Sequence, residues 1–114
     1  MTSGMHTYVV PVTDLTAAKA VYGALLVVQP SWDQPSYVGF DTAGQHLGLD
    51  PNGHRQGMTG PQGFWDVDDI VKTVRVLVEA GATVVQSPKD VGGGKLIATV
   101  RDADGNIIGL VQPR

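Results

Sequence analysis

The chain contains no cysteine. That absence excludes disulfide frameworks, thiolate metal clusters and cysteine nucleophiles together, and it fits a reducing, cytoplasmic setting. Cations are scarce too: eight Lys and Arg stand against eleven Asp and Glu, a formal net charge of −3. With no basic excess to neutralise a phosphate backbone or an anionic bilayer, neither nucleic acid nor a membrane is expected as a partner. No apolar run approaches the ~20 residues that a membrane span requires. The opening Met1-Thr2-Ser3-Gly4-Met5 lacks the basic and then apolar profile of a secretory leader, so a soluble protein is expected. Aromatic residues make up only 6% of the chain, yet 42% of its 114 residues are hydrophobic, enough for one domain to bury its own core.

Glycine is the residue in excess, at 15 of 114, nearly twice its average share. The apolar residues are clustered and periodic, so the glycines point to many turns between short strands and not to disorder.

The sequence also repeats itself. Asp41-Thr42-Ala43-Gly44-Gln45-His46-Leu47-Gly48-Leu49 aligns with Asp102-Ala103-Asp104-Gly105-Asn106-Ile107-Ile108-Gly109-Leu110 at an offset of 61 (102 minus 41). Upstream, Val12-Thr13-Asp14-Leu15 echoes Val67-Asp68-Asp69-Ile70 at an offset of 55 (67 minus 12). In both echoes a Thr or Asp stands where a side-chain oxygen can accept from the free N–H groups of a first helical turn. Apolar stripes follow: Leu15, Ala18, Val21, Tyr22 and Leu25, then Ile70, Val74, Leu77 and Val78. Gly81 ends the second helix. Runs rich in β-formers at 7–12, 37–40, 45–49, 63–67, 83–86, 96–101 and 106–112 supply strands. The breaker-rich segment 87–95 reads as a mobile loop that holds the extra residues of the second half, and the Gly- and Pro-rich segment 51–61 as a linker.

Two strand-helix-strand-strand-strand modules with these motifs resemble the vicinal oxygen chelate superfamily of glyoxalases, bleomycin-resistance proteins and extradiol dioxygenases. The resemblance covers nearly the whole chain. It implies an α+β fold in a single domain of 114 residues, module one at about 5–51, a linker at about 52–61 and module two at about 62–114. It further implies that the two βαβββ modules enclose a half-barrel cavity, and that the chain forms a homodimer. Metal-using members carry a His, Glu or Gln ligand on the first and last strand of each module. Carried over individually, those positions fall on Thr7, Gly48, Gln62 and Gly109. Glycine has no donor atom, and a hydroxyl with an amide oxygen is a poor set for a divalent ion. The expectation is therefore no metal and no cofactor.

Strand parity places His46 on the same face as Gly48, and turns His6 away from Thr7. Gly48 and Gly109 either enlarge the cavity or allow close backbone packing. Gln62, Phe64 and Asp66 alternate toward the cavity, while Trp65 and Val67 are expected beneath a helix. Trp32 and Tyr37 flank a Pro-rich corner and can stack on a planar guest, with core packing or a dimer contact the alternative for Trp32. The expected ligand-binding set is Thr7, Trp32, Tyr37, His46, Gly48, Gln62, Phe64 and Gly109, and His46, Asp50 and Asp66 are the acid or base candidates. His54, Arg55, Lys89 and Lys95 could meet an anionic group at the mouth or be solvated. Gly92-Gly93-Gly94 lacks the Gly-Lys-Ser/Thr ending of a phosphate loop. The function expected is metal-independent binding of an aromatic or apolar small molecule, with drug sequestration one use. The alternative is a glyoxalase-like isomerase, cyclase or lyase that works through pocket acid and base residues or a relocated metal.

Overall fold

The structure is a computed structural model describing residues 2–113. The chain forms two compact units, one of His6–Gln62 and one of the residues up to Met5 together with those from Gly63 onward. Each is built of strand, helix and three further strands, and the fold is α+β.

In the first unit the sequence reads β1 (Thr2–Pro11), α1 (Leu15–Leu26), β2 (Trp32–Gln34), β3 (Tyr37–Thr42) and β4 (Gln45–Asp50). The strands lie in the order β2-β3-β4-β1, antiparallel except where β4 runs parallel to β1. Asp14 starts α1 by accepting from the Ala17 N–H at 3.0 Å. Alternation then divides the sheet. Val38, Phe40 and Leu49 turn to α1 and are buried with Val12 against Val10, Leu15, Ala18, Tyr22 and Leu26. Residues of opposite parity, among them Thr7, Gly39, Asp41, His46 and Gly48, occupy the other face.

The buried stripe of α1 is narrower than its sequence suggests. Val21 and Leu25 are 64% and 70% exposed, because the sheet meets one line of the helix and each stands a residue, about 100° of rotation, ahead of that line. A second difference lies at the Pro-rich corner, where Trp32–Gln34 form a short strand on β3. The linker packs as a 3-10 turn, His54–Gln56, and Gly53 seats against Pro11 where a Cβ would meet the Pro11 Cβ at 2.6 Å.

The second unit follows the same plan with β5 (Gln62–Val67), α2 (Ile70–Glu79), β6 (Thr83–Asp90), β7 (Leu96–Arg101) and β8 (Ile107–Gln112). Its strand order is β5-β8-β7-β6, with β5 parallel to β8. Thr2 Oγ donates to the Asp66 carbonyl at 2.7 Å, tying the start of the chain to β5. Asp69 caps α2 on the Lys72 N–H at 3.0 Å, and Gly81, at φ 116°, follows the helix in a conformation that suits glycine. Val67, Ile70, Ala98 and Leu110 form the core with Val74, Leu77, Leu96 and Ile108.

Val67 is buried beneath the helix as its parity demands, whereas Trp65, of the same parity, is 39% exposed. The segment expected as a loop at 87–95 is also corrected. Ser87 to Asp90 continue β6, whose pairing with β7 shifts register between Val84 and Gln86 and again between Gln86 and Lys89. Bulges take up the extra residues within the ladder. The remaining turn is closed by the Val91 N–H on the Lys95 carbonyl at 2.9 Å.

Candidate functional site

The face of the first unit turned away from α1 carries a connected polar chain. Asp41 on β3 lies directly opposite His46 on β4, and its Oδ1 is 2.9 Å from His46 Nδ1. On the other side of the imidazole, Nε2 is 2.8 Å from Tyr37 Oη. Ser31 Oγ donates to Asp41 Oδ2 and to the Gly39 carbonyl. A carboxylate only accepts, so His46 carries its proton on Nδ1, and Nε2 in the neutral ring accepts the Tyr37 hydroxyl proton.

Two glycines make this arrangement possible. A Cβ at Gly48 would lie 1.8 Å from Tyr37 Oη, and one at Gly39 would lie 2.7 Å from His46 Cε1. Both exceed any tolerable contact, so the chain exists because β3 and β4 carry no side chain at those points. The space at Gly48 is thus filled by the Tyr37 ring and not left as cavity. The same holds at Gly109, where a Cβ would meet the Gly63 carbonyl oxygen at 2.6 Å and Phe64 Cδ2 at 2.7 Å. Of the two readings of the glycine pair, the contacts favour close packing over a widened cavity.

Burial, followed by the negative charges of Asp50 and Asp41, pushes the Tyr37 hydroxyl up to about 12, so it stays neutral throughout the physiological range. Beside the polar chain lies a shallow hollow of about 480 Å³ lined by His6, Thr7, Asp41, Thr42, Gly44, Gln45 and His46. His6 and Thr7 both border it, despite opposite parity on β1, because the hollow runs past the end of the β3–β4 hairpin and does not lie flat on one face. Among the described residues, its lining includes neither Lys nor Arg. A second hollow of about 240 Å³ lies on the helix side, where Lys19 bridges to Asp33 at 3.0 Å.

The expected site residues therefore divide. Thr7, Tyr37, His46, Gly48 and Asp50 share one unit; Tyr37 and His46 belong to the chain just described, Gly48 lies against the Tyr37 hydroxyl, and Thr7 pairs in register with His46. Trp32 pairs with Gly39 on β2 and is 58% exposed, which removes the core-packing alternative. Gln62 opens β5, while Phe64 is buried in register with Gly109 in the second unit. Asp66 is also in that unit, and its backbone carbonyl is the acceptor for Thr2. Asp50 Oδ1 accepts from the Asn52 N–H at 2.8 Å, which shapes the turn after β4. Two members of the polar chain, Asp41 and Ser31, were not expected from the sequence. The usable sign was Asp41 and His46 flanking a Gly-containing turn, which sets them opposite each other once the turn is two residues long.

The positions at which the superfamily's metal ligands would fall, Thr7, Gly48, Gln62 and Gly109, do not fit a divalent cation. Two have no side chain, their Cβ space is taken by Tyr37 and by Gly63 with Phe64, and the others offer a neutral hydroxyl and amide. Among the described residues, no three His, Asp or Glu side chains gather as a ligand set. Nor is any helix among them long and apolar enough to cross a membrane.

Comparison with solved structures places the fold among known proteins. A benzaldehyde dehydrogenase structure from Legionella pneumophila, described as NAD-dependent, superposes with TM-score 0.75 at 17% identity, covering 95% of this chain and 98% of that one. Methylmalonyl-CoA epimerase from Mycobacterium tuberculosis gives TM-score 0.70 at 20% identity, with coverages of 99% and 89%. A glyoxalase/bleomycin resistance protein/dioxygenase superfamily member from Vibrio splendidus gives 0.71 at 16%, with 95% and 97%. At these identities the likeness is one of fold. No curated protein matches the sequence. The sequence does match a family model over residues 4–110, and with the paired βαβββ units this establishes that the chain belongs to the Glyoxalase/Bleomycin resistance protein/Dioxygenase superfamily.

Proposed function

We propose that the protein binds a small organic molecule without a metal, on the helix-free face of its first unit. The observation that carries this reading is the exchange at Gly48. Where metal-using relatives present a ligand side chain, this chain has none, and Tyr37 Oη occupies the space, held by His46 and Asp41. A neutral hydrogen-bonding group has replaced an ion-binding one. The adjacent hollow, with Thr7, Thr42 and Gln45 around it, has the mixture of open volume and a few fixed polar groups that suits an organic guest. Sequestration of a toxic compound is one use of such a site.

Pairing with a second copy belongs to the same proposal. β2 ends the strand order and carries the exposed Trp32, so it offers an unpaired edge beside an aromatic surface. Sedimentation velocity is expected to return a dimer.

The polar chain also favours the second reading, a cofactor-free enzyme. A carboxylate, an imidazole and a hydroxyl in line can pass a proton to or from a bound molecule. Two measurements separate these readings from a metal enzyme. Native mass spectrometry of protein purified from its own host is expected to show the chain with an organic adduct and no stoichiometric metal. Titration with Ni²⁺, Zn²⁺, Mn²⁺ or Fe²⁺ is expected to leave the melting temperature unmoved, whereas aromatic compounds raise it by linkage. Tight binding of one metal equivalent would overturn the metal-free reading.

A further inference from the structure

We propose that the outer face of α1 is a two-fold contact surface for a second copy of the chain. The inference rests on the reading that two copies pair, and gives that pairing its surface.

The two helices hold the same place in their modules and differ on the side turned to water. α2 sets Lys72, Arg75 and Glu79 among its exposed valines. The matching face of α1 is Ala17, Ala20, Val21, Ala24 and Leu25, all exposed and none charged. A helix that is apolar on its outer line as well as its inner one shows water a surface that a folded chain ordinarily covers. The contrast runs past the helices. Residues 15–40 hold two charges, Lys19 and Asp33, whereas residues 70–95, a stretch of equal length, hold six: Lys72, Arg75, Glu79, Lys89, Asp90 and Lys95.

Val27 is a second sign. It ends α1 in the left-handed region, at φ 56° and ψ 38°, with its N–H on the Gly23 carbonyl at 2.9 Å, and it is 84% exposed. Glycine suits this position and a β-branched side chain suits it least. A valine kept there in water gains nothing from its own fold, and a contact outside the chain accounts for it.

Charge selects the occupant. Lys19 and Asp33 bond to each other at 3.0 Å. The face therefore offers no counter-charge to an acidic or basic protein and no spare cation to an anionic lipid surface. A neutral apolar face fits another of its kind, and copies of net charge −3 meet there without setting like charges together. One cation and one anion at its border also suit a two-fold contact, in which residue i meets j and j meets i. Ala17, Ala20 and Ala24, at steps of three and four, let two helices approach closely. The Lys19–Asp33 bridge ties α1 to β2, so the face is continuous with the strand edge already assigned to pairing.

Sedimentation of the full chain over a concentration series reads the contact. One helix face with a strand edge stands at the small end of stable interfaces, so the dimer is expected to dissociate reversibly on dilution. Leu25→Glu puts a carboxylate from each copy into the contact and is expected to weaken association at least about tenfold. Val76→Glu, at a valine of α2 that is 54% exposed, is expected to leave it within about twofold. Both positions face water in the single chain, and matched melting temperatures check that the variants fold. The absence of cysteine gives an independent readout. Ala17→Cys, Ala20→Cys and Ala24→Cys each bring a lone thiol, and a two-fold axis across α1 brings one of them within disulfide reach of its own copy. Under mild oxidant at least one is expected to cross-link, and Val76→Cys is not.

A dimer that Leu25→Glu leaves intact, or cross-linking by Val76→Cys as ready as by any α1 thiol, overturns this surface while the pairing reading survives. A wild type that stays monomeric at every concentration overturns both. Binding of the monomer to phosphatidylcholine–phosphatidylglycerol vesicles, lost in Leu25→Glu, gives the face to lipid and overturns the second copy as its occupant.

Discussion

The two hairpins that close the modules match in sequence yet are built differently. In the first, Thr42 pairs with Gln45 around a two-residue turn of Ala43 and Gly44, which sets Asp41 opposite His46 on the helix-free face. In the second, Arg101 pairs with Ile107, and the Asp102 N–H donates to the Asn106 carbonyl across a turn one residue longer. One residue in a turn reverses strand parity. Arg101 consequently takes the place that Asp41 holds, and Asp102 drops into the turn. There its Oδ1 accepts from the Asp104 and Asn106 N–H groups at 2.9 and 2.8 Å. The neighbours diverge in step: Thr99 faces Gly109 where Gly39 faces Gly48, and Ile97 faces Val111. The first module spends its hairpin on a hydrogen-bonded polar chain and the second on a closed turn held by Asp102.

The paired glycines offer the largest test of this division. Gly109→Ala presses a methyl group against a backbone carbonyl, which cannot rotate away, and overpacking of this kind costs about 1–3 kcal/mol. Gly48→Ala presses on the far end of a tyrosine, which can swing aside. Urea unfolding is expected to show the first variant clearly less stable than the second. The second should instead lose the Tyr37–His46 bond, seen as a changed imidazole ¹⁵N spectrum. Equal destabilisation would mean that the two glycines serve one purpose after all.

The two aspartates give the next contrast. Asp102 is held below its ordinary carboxylate range chiefly by hydrogen bonds from the Asn106 backbone and side chain, with Asp104 and Gly105 adding to them. For a depressed acid the contribution to stability is complete above its unfolded value near 3.8 and disappears as pH falls through the lower folded value. Asp102→Ala is therefore expected to lower stability at neutral pH and to flatten the acid limb of the stability curve. Asp41→Ala should change stability less and the His46 tautomer more.

Tyr37 shows the opposite sign. Its folded pKa of about 12 lies above the ordinary 10.0, so its contribution is complete below pH 10 and is lost as pH rises through that value toward 12. Tyrosinate absorbance should contain a late-titrating step, and Tyr37→Phe should remove both that step and its share of the alkaline slope. A Tyr37→Phe variant that leaves the late part of the titration unchanged would place the Tyr37 hydroxyl in water.

Much of this was legible in the residues. The duplication gave the module plan, Asp14 and Asp69 gave the helix starts, and alternation put His46 and Gly48 on one face, with Thr7 added by the family resemblance. What was not legible depended on distances that no local pattern encodes. The turn of β3–β4 and the turn of β7–β8 differ by one residue while their sequences align without a gap, so the repeat itself concealed that Asp41 and Asp102 point differently. Gly48 left both readings open, cavity space or close packing, because the residue that fills it, Tyr37, comes from a neighbouring strand. Val21 and Leu25 read as core because periodicity reports which face is apolar, and not how wide a line the sheet can cover. Ser87 to Asp90 read as loop because Pro88 and the following glycines outweighed a ladder that tolerates bulges.

The smallest expected effect lies in the turn that creates the contrast. A two-residue hairpin loop of this kind needs positive φ at both central positions, and Ala43 adopts φ 53° with Gly44 at φ 76°. A Cβ in the left-handed region is disfavoured by roughly 1–2 kcal/mol, while glycine there gives back part of the gain as extra freedom in the unfolded chain. Ala43→Gly is accordingly expected to stabilise the protein by about 0.5–1 kcal/mol in urea unfolding, with the Asp41–His46 resonances unmoved. If the substitution instead destabilises the chain and disperses those resonances, the alanine is what holds the turn to two residues, and the parity that builds the polar chain is set by that side chain and not by the glycine beside it.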